Sequence, residues 1–184
     1  MKAVIGGILG ALLLPWVALA DIELFAGSPL LDAVRAGDVD AVEALLVRGK
    51  NPDLADSDGK TPVILAALTG NEDMVETVLR HRPKINHRDR LGNTALFYAA
   101  NRGHAETVEL LITRGADRNS ANRQGVTPMM VAAEMGFVAV VQVLLAKDAD
   151  ARRRDYTGRS ALMWAEWSRR PAVVRVLRNA GIRD

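Results

Sequence analysis

The chain has 184 residues, and its 24 Lys and Arg against 22 Asp and Glu leave a formal net charge of only +2. Such a balance predicts no polyanionic partner, so a nucleic-acid-binding protein is not expected. The absence of cysteine excludes disulfides, thiolate-bound metals and a lipid anchor on cysteine. Packing alone must therefore stabilise the fold.

Residues 1–20 have the layout of a secretory signal peptide. Lys2 precedes an apolar run from Ala3 through Val17, and Ala18-Leu19-Ala20 follows with small residues at the two positions that signal peptidase reads. The apolar run is interrupted by Pro15 and is shorter than the roughly 20 residues of a membrane-spanning helix. These features favour a cleaved signal over an uncleaved membrane anchor. We expect cleavage after Ala20 and a soluble, monomeric, periplasmic product, although secretion beyond an outer membrane stays open.

Charge is distributed unevenly along the remaining chain. Residues 21–80 carry 5 basic against 12 acidic side chains, whereas residues 147–184 carry 10 basic against 5 acidic side chains. An elongated protein with this sequence would have an acidic beginning and a basic end.

A 33-residue period organises the sequence after the signal segment. Glycines recur at Gly59, Gly92, Gly125 and Gly158, alanines at Ala66, Ala99, Ala132 and Ala165, and valines at Val42, Val75, Val108, Val141 and Val174. A single globular core requires no such rhythm. A stack of similar units does, because each unit buries its apolar face against its neighbours.

One period, Asp56 to Asn86, shows the shape of the unit. Its first four residues, Asp-Ser-Asp-Gly, are typical of a tight turn. Thr61-Pro62 then predicts a helix start, with the Thr61 hydroxyl capping free backbone N–H groups and proline at the first helical position. This first helix is expected to run through Leu68, and its alanine pair permits a close approach by a neighbouring helix.

A second helix follows in the same unit. Gly70 ends the first helix and Asn71 opens the second, whose Val75, Val78 and Leu79 form one apolar stripe at helical spacing. The second helix is expected to end near Arg80. An extended return to the next turn completes the unit.

Several motifs make the chain resemble the ankyrin repeat family. Residues 89–96 read Asp-Arg-Leu-Gly-Asn-Thr-Ala-Leu, and they are followed by Ala99-Ala100, Gly103-His104, Leu110-Leu111 and Gly-Ala-Asp-Arg-Asn at 115–119. The resemblance covers residues 28–184 and implies an all-α ankyrin-repeat solenoid of five helix-turn-helix repeats joined by β-hairpin turns. Within a repeat domain of 21–184, the five repeats are expected at about 28–55, 56–88, 89–121, 122–154 and 155–184.

Departures from the pattern give two further expectations. Arg82 and Asp148 stand where Gly49, Gly115 and Gly181 follow the second helix, so we expect irregular junctions at these two places. In the last copy, polar Glu166, Arg169 and Arg178 replace small or apolar residues, which predicts an end cap whose outer face meets water.

The sequence offers no clear active site, metal site or cofactor site. Gly59-Lys60-Thr61 resembles the end of a phosphate-binding loop, but Leu54 stands where that loop needs a glycine. His104 matches the histidine that begins the second helix in the family, which implies a structural role. His81 and His87 lie six residues apart and leave an alternative open, a metal-dependent or acid-base enzyme that uses this region.

Ankyrin proteins generally bind other proteins through a concave face formed by hairpin tips and first helices. Carried over by position, this resemblance implies a partner-binding set of Lys60, Arg90, Leu91, Arg102, Arg123, Met135, Tyr156, Arg159 and Trp167. We expect the centre of contact at Arg123, Met135, Tyr156 and Trp167, because exposed aromatic and arginine side chains supply most interface hot spots.

Other assignments complete the expected surface. Trp164, Phe97 and Met130 are expected in the core, and an end-cap role is an equal alternative for Trp167. Arg152-Arg153-Arg154 is interpreted as a solvated turn or as a rim for an acidic partner. The predicted function is an exported interaction module without catalysis, in a toxin-immunity or an enzyme-accessory role.

Overall fold

A computed structural model describes residues 28–183. The predicted signal peptide and its cleavage site after Ala20 lie outside the described residues. Within 28–183 the chain forms ten helices and no β-strand, which confirms the predicted all-α solenoid. The helices are α1 (Pro29–Ala36), α2 (Val39–Val47), α3 (Pro62–Thr69), α4 (Glu72–Arg80), α5 (Ala95–Arg102), α6 (Ala105–Thr113), α7 (Pro128–Met135), α8 (Val138–Ala146), α9 (Ala161–Trp167) and α10 (Pro171–Asn179).

The helices are arranged in two layers. The first helices of the repeats, α1, α3, α5, α7 and α9, contact one another in chain order, and the second helices, α2, α4, α6, α8 and α10, do the same. Each first helix also packs on the second helix of its own repeat. The core is therefore a continuous seam between neighbours rather than a central cluster, as the 33-residue period requires.

The periodic alanines allow the first helices to lie close together. Ala66, Ala99, Ala132 and Ala165 are fully buried, and so are Val42, Val75, Val108 and Val141 in the second helices. Methyl side chains keep the first-helix layer thin, so consecutive first helices pack directly on one another.

Helix starts are capped as predicted in three of the four repeats that carry Thr or Ser after the turn. The hydroxyls of Thr94, Thr127 and Ser160 accept a hydrogen bond from the backbone N–H three residues later. The expectation that Thr61 caps α3 is wrong. Its hydroxyl oxygen is buried and makes no hydrogen bond with the described residues, and nothing in the structure explains this.

Of the two junctions expected to be irregular, the one at Asp148 is regular, so the prediction is wrong there. The junction at Arg82 keeps the left-handed backbone, but Pro83 has no N–H and cannot form the closing hydrogen bond that Lys50, Ala116 and Ala149 donate at the other junctions. Arg82 and Asp148 adopt φ values of 52° and 57°, in the same left-handed region as Gly49 at 85° and Gly115 at 97°. Residues other than glycine disfavour this backbone conformation, so contacts with neighbouring residues must stabilise it at Arg82 and Asp148.

A row of hydrogen bonds between loops of consecutive repeats imposes this backbone path. The Asp53 carboxylate accepts from the Lys84 N–H at 2.7 Å, just after Arg82. The Asn119 side-chain oxygen accepts from the Asp150 N–H at 2.8 Å, just after Asp148. The same bond joins Asn86 and Asp117 at 2.8 Å, beside the regular Gly115 junction. Contacts between repeats thus override the local preference of the residue.

Candidate concave binding face

The turn before each first helix is held by the side chain of its first residue. Asp89 shows the pattern, because its Oδ1 accepts hydrogen bonds from the backbone N–H groups of Leu91 and Asn93, both at 2.9 Å. The same pair of bonds is formed in the other turns by Asp56, Asn122 and Asp155. These four turns therefore present their tips in one conformation.

Hydrogen bonds between backbone groups join the four tips into a continuous row. The donors and acceptors recur with the repeat: Arg90 N–H to Asp58 O at 3.0 Å, Arg123 N–H to Leu91 O at 3.1 Å, and Tyr156 N–H to Gln124 O at 3.1 Å. The tip side chains are thus held in a fixed order along one edge of the stack.

Two tip side chains also pack over the glycine of the preceding tip. A Cβ on Gly92 would lie 2.9 Å from the Arg123 nitrogen and 3.0 Å from its Cγ, and a Cβ on Gly125 would lie 2.9 Å from Tyr156 Cδ1. Glycine is needed at both places for this approach, since both residues also have positive φ. The glycines thereby position Arg123 and Tyr156.

Most of the predicted binding residues reach the surface. Arg90, Arg102 and Arg123 are exposed, and Lys60 and Arg159 are half-buried. The large apolar members are exposed by 64% at Leu91, 41% at Met135, 80% at Tyr156 and 64% at Trp167. Among residues 28–183, the other exposed large apolar side chains are Val47 and Leu54.

Tips and first helices border a common cleft of about 560 Å³. It brings together three of the predicted residues, Arg123, Tyr156 and Arg159, with side chains from α5, α7 and α9. The apolar part of its lining is Phe97, Val126, Val131 and Trp164. This surface of tips and first helices, here called the concave face, therefore has a depression in its last three repeats.

Trp164 is the main residue that sequence reasoning misplaced. It was expected in the core, but it is half-buried and lines the cleft. Its indole packs edge to face against Trp167, with centroids 5.4 Å apart and an interplanar angle of 82°. Phe97 is buried as expected and yet borders the cleft, whereas Met130 lies fully in the core as predicted.

Arg159 lies in the angle between the two tryptophans. Its guanidinium carbon is 5.2 Å from the Trp164 ring centroid and 5.4 Å from the Trp167 ring centroid. Both distances are within the range of cation–π attraction, which is about 6 Å. Trp167 thus stays accessible and also helps to hold a cation that belongs to the same repeat.

Asp155 connects this aromatic pair to the turn. Its Oδ2 accepts from Trp164 Nε1 at 2.8 Å, and its Oδ1 accepts from the Thr157 hydroxyl at 2.6 Å as well as from the turn backbone. Burial alone would raise the pKa of Asp155, but these hydrogen bonds favour the charged form and outweigh it, so the pKa lies below its ordinary value of 3.8. The charged carboxylate of Asp155 therefore stabilises the turn and its link to Trp164.

The family described as ankyrin repeats (3 copies) matches residues 30–122 and 99–183. The chain belongs to the ankyrin repeat family. Ankyrin repeats are generally protein–protein interaction modules and are typically not enzymes. A comparison with curated proteins found no match for the chain.

Lys60 occupies an ankyrin tip position but already has an ionic partner. Its Nζ lies 2.7 Å from Asp58 Oδ2 in the same turn. The hydrogen bond to Asp58 raises the pKa of Lys60, with smaller contributions from Tyr98 and Asp56. Lys60 is therefore less available to a partner than Arg90 or Arg123, whose side chains form no hydrogen bond with residues 28–183.

The two histidines of the enzyme alternative have separate partners in this ankyrin stack. His81 Nε2 lies 3.1 Å from Glu43 Oε2, and His87 Nε2 lies 3.1 Å from the Gly59 carbonyl oxygen. His81 thus continues a row of pairs between second helices, which includes Glu76 with Arg114 at 2.6 Å and Glu109 with Lys147 at 2.8 Å. Residues 28–183 contain no group of three or more His, Cys, Asp or Glu that could hold a metal ion.

His104 has the structural position that the family resemblance implies. It precedes α6, and its Nε2 lies 3.4 Å from the Leu68 carbonyl oxygen of the preceding repeat. Its ring packs directly over Gly70, where an added Cβ would lie 2.5 Å from Nδ1. Phe137 packs over Gly103 and Arg170 packs over Gly136 in the same way, so this register position joins consecutive ankyrin repeats.

The basic run after α8 lies beside the tip row. Arg152, Arg153 and Arg154 are all exposed, and Arg154 also donates to the Gly158 carbonyl oxygen at 2.7 Å. Across residues 28–183, no helix has the length and apolar character needed to cross a membrane.

Proposed function

We propose that this ankyrin-repeat protein is an exported, periplasmic interaction module that binds one partner protein through its concave face. The concave face carries the recognition residues, and the chain performs no chemistry of its own. The biological role is to occlude a toxin, as an immunity protein does, or to assist a periplasmic enzyme.

One observation carries this proposal. Of the six exposed large apolar side chains among residues 28–183, four lie on the concave face, namely Leu91, Met135, Tyr156 and Trp167. Leu91 and Tyr156 are tip residues, and Met135 and Trp167 end first helices. Exposed apolar side chains that gather on one polar-rimmed surface are typical of an interaction site.

Rigidity supports the same surface. The tips are joined by backbone hydrogen bonds, and Trp167 is fixed by contact with Trp164 and Arg159. Side chains that are already ordered lose little conformational entropy on binding, so contacts of this kind contribute more affinity.

Site-specific photo-cross-linking in the native host tests the proposal. A photoreactive phenylalanine analogue is placed at Leu91, Met135 or Tyr156, and at Val47 as the control. Val47 is 69% exposed and ends the second helix α2, so it is a large apolar position outside the concave face. We expect one adduct of the same mass from all three concave positions and none from Val47.

An adduct that forms equally well at Val47, or no adduct at any concave position, contradicts the proposed binding face.

A fractionation experiment tests export separately. We expect the untagged protein in the periplasmic fraction with Asp21 as its first residue. A cytoplasmic protein that retains Met1 would refute export and leave the binding face untouched.

A further inference from the structure

Two arginines at the cleft of the concave face lack an acceptor within residues 28–183. Arg123 is exposed at the tip of the fourth repeat, and Arg159 is half-buried between Trp164 and Trp167. A guanidinium that rests on an aromatic ring keeps N–H donors for a planar, two-pronged acceptor such as a carboxylate. Both side chains border the same cleft.

The carboxylates of the cleft do not neutralise these arginines by direct contact. Asp155 is buried, and both of its oxygens accept hydrogen bonds from Trp164, Thr157 and the turn backbone. Glu134 is half-buried on α7 and forms no ion pair with the described residues. The neighbouring depression is lined by Arg88, Arg123 and Arg153 and by two carboxylates, Asp89 and Asp117. Asp89 is buried, and both of its oxygens already accept hydrogen bonds, so the arginines outnumber the accessible carboxylates.

The shape of the surface favours an extended ligand. Arg123 and Tyr156 border the apolar cleft of about 560 Å³ and also a second, more polar depression of about 600 Å³ on the loop side. They therefore form a ridge between two depressions. Arg153 lines the second depression, so a segment that crosses the ridge passes Arg159, Arg123 and Arg153 in turn.

We propose that this ridge binds an extended acidic segment of the partner protein, in which a large apolar side chain fills the cleft next to carboxylates that pair with Arg123 and Arg159. The inference rests on the proposed function and adds the chemistry of the partner. Phe97, Val126, Val131 and Trp164 receive the apolar side chain. Trp164 and Trp167 act as positioning residues, because their rings fix the orientation of the Arg159 guanidinium.

Selection from a displayed library of random 12-residue peptides tests this proposal on the purified protein. Selected peptides are then labelled with fluorescein, and Kd values are measured by fluorescence anisotropy. We expect enrichment of Asp and Glu adjacent to aromatic or large aliphatic residues. Changing the acidic residues of a selected peptide to Asn and Gln should abolish most of its binding, and added salt should weaken the complex.

Variants of the protein locate the contact. Arg159→Gln and Arg123→Gln should each raise Kd by about tenfold, as expected for hot-spot arginines. The matched control is Arg175→Gln, an exposed arginine in the second-helix layer on α10, and its Kd should be unchanged. Arg159→Lys keeps the charge without the planar fork and should show an intermediate loss. Circular dichroism verifies that each variant is folded.

Several outcomes would overturn the proposal. The selection could yield no binding peptide, or peptides without an excess of acidic residues. It could also yield basic peptides, whose cations would replace Arg159 against the two tryptophans. Unchanged Kd values for both Arg→Gln variants would contradict the proposal as well. Tighter binding of a fluorescein-labelled single-stranded 12-mer DNA than of the acidic peptides would also overturn it. Cross-linking decides the proposed function separately: one adduct at Leu91, Met135 and Tyr156 together with any of these outcomes would overturn the acidic segment and leave the binding face in place.

Discussion

The indole N–H of Trp164 donates to the carboxylate of Asp155 at 2.8 Å. The corresponding residues two repeats earlier form the same link, since the Tyr98 hydroxyl donates to Asp89 at 2.6 Å. In both repeats a polar aromatic residue on the first helix is tied to the residue that shapes the turn. This bond makes the tip and the first helix one rigid unit, which is what a recognition surface needs.

Replacement of Asp155 by asparagine should lower stability in a pH-dependent way. The pKa of Asp155 is depressed below 3.8 in the folded protein, so the carboxylate stabilises the fold above that pH, and this stabilisation is lost as pH falls through the folded pKa. The difference in free energy of unfolding between wild type and Asp155→Asn should therefore be constant near neutral pH and shrink below about pH 3.8. Urea unfolding at pH 7, 5 and 3 measures it.

Asp40→Asn provides the comparison for this experiment. Asp40 is exposed and forms no hydrogen bond or ion pair with the described residues, so its replacement should change stability much less at every pH. A gap between wild type and Asp155→Asn that stays the same from pH 7 to pH 3 would show that the carboxylate is not the stabilising species.

Replacement of Gly70 by alanine should destabilise the stack by more than the backbone conformation alone explains. Gly70 has φ +70°, and a Cβ there would lie 2.5 Å from the His104 ring. The control is Gly37→Ala, because Gly37 has a similar φ of +75° with nothing within 4 Å of the added Cβ. We expect Gly70→Ala to cost about 1–3 kcal/mol more than Gly37→Ala in urea unfolding. Equal losses would exclude His104 as the cause.

Replacement of Arg82 by glycine should raise stability. Arg82 is held at φ 52°, and a left-handed conformation costs a residue other than glycine about 1–2 kcal/mol, part of which glycine loses again as unfolded-state entropy. The expected gain is about 0.5–1 kcal/mol. Asp148→Gly, at φ 57°, should gain less because aspartate tolerates this region better. A lower melting temperature for Arg82→Gly would mean that its side chain stabilises the junction.

Replacement of Ala99 by leucine should destabilise the middle of the stack. Ala99 is fully buried on α5, which packs against α3 and α7, so the extra carbons have no space and we expect a loss of about 1–3 kcal/mol. Ala139→Leu is the matched control, since Ala139 is exposed on α8. A midpoint in urea that is unchanged for Ala99→Leu would contradict the close packing of the first helices.

Periodicity made most of the fold predictable from sequence. The helix bounds of the second repeat, Pro62–Thr69 and Glu72–Arg80, follow from the turn, the proline and the glycine break, which are local signals. The left-handed backbone at Arg82 could not be predicted, because the Asp53 bond beside it joins two repeats. The missing capping hydrogen bond of the Thr61 hydroxyl could not be predicted either, because no local feature of the sequence indicates it.

The candidate site was predictable as a surface but not as a cleft. Register alone placed Tyr156 and Trp167 at exposed positions, where the structure has them. Trp164 was misplaced because Leu65 and Val131 occupy its register in other repeats. The available signal was Tyr98, a second aromatic residue with a polar atom in that register, whose hydroxyl reaches the turn carboxylate. Such a residue lies with its polar end toward the tip and half in solvent.

The affinity of the partner cross-linked at Tyr156 tests the central claim most directly. Isothermal titration calorimetry compares wild type, the double variant Tyr156→Ala and Trp167→Ala, and the single variant Val47→Ala. The account predicts a loss of about 2 kcal/mol or more for the double variant and no change for Val47→Ala. Equal affinity of all three proteins would contradict binding through the concave face.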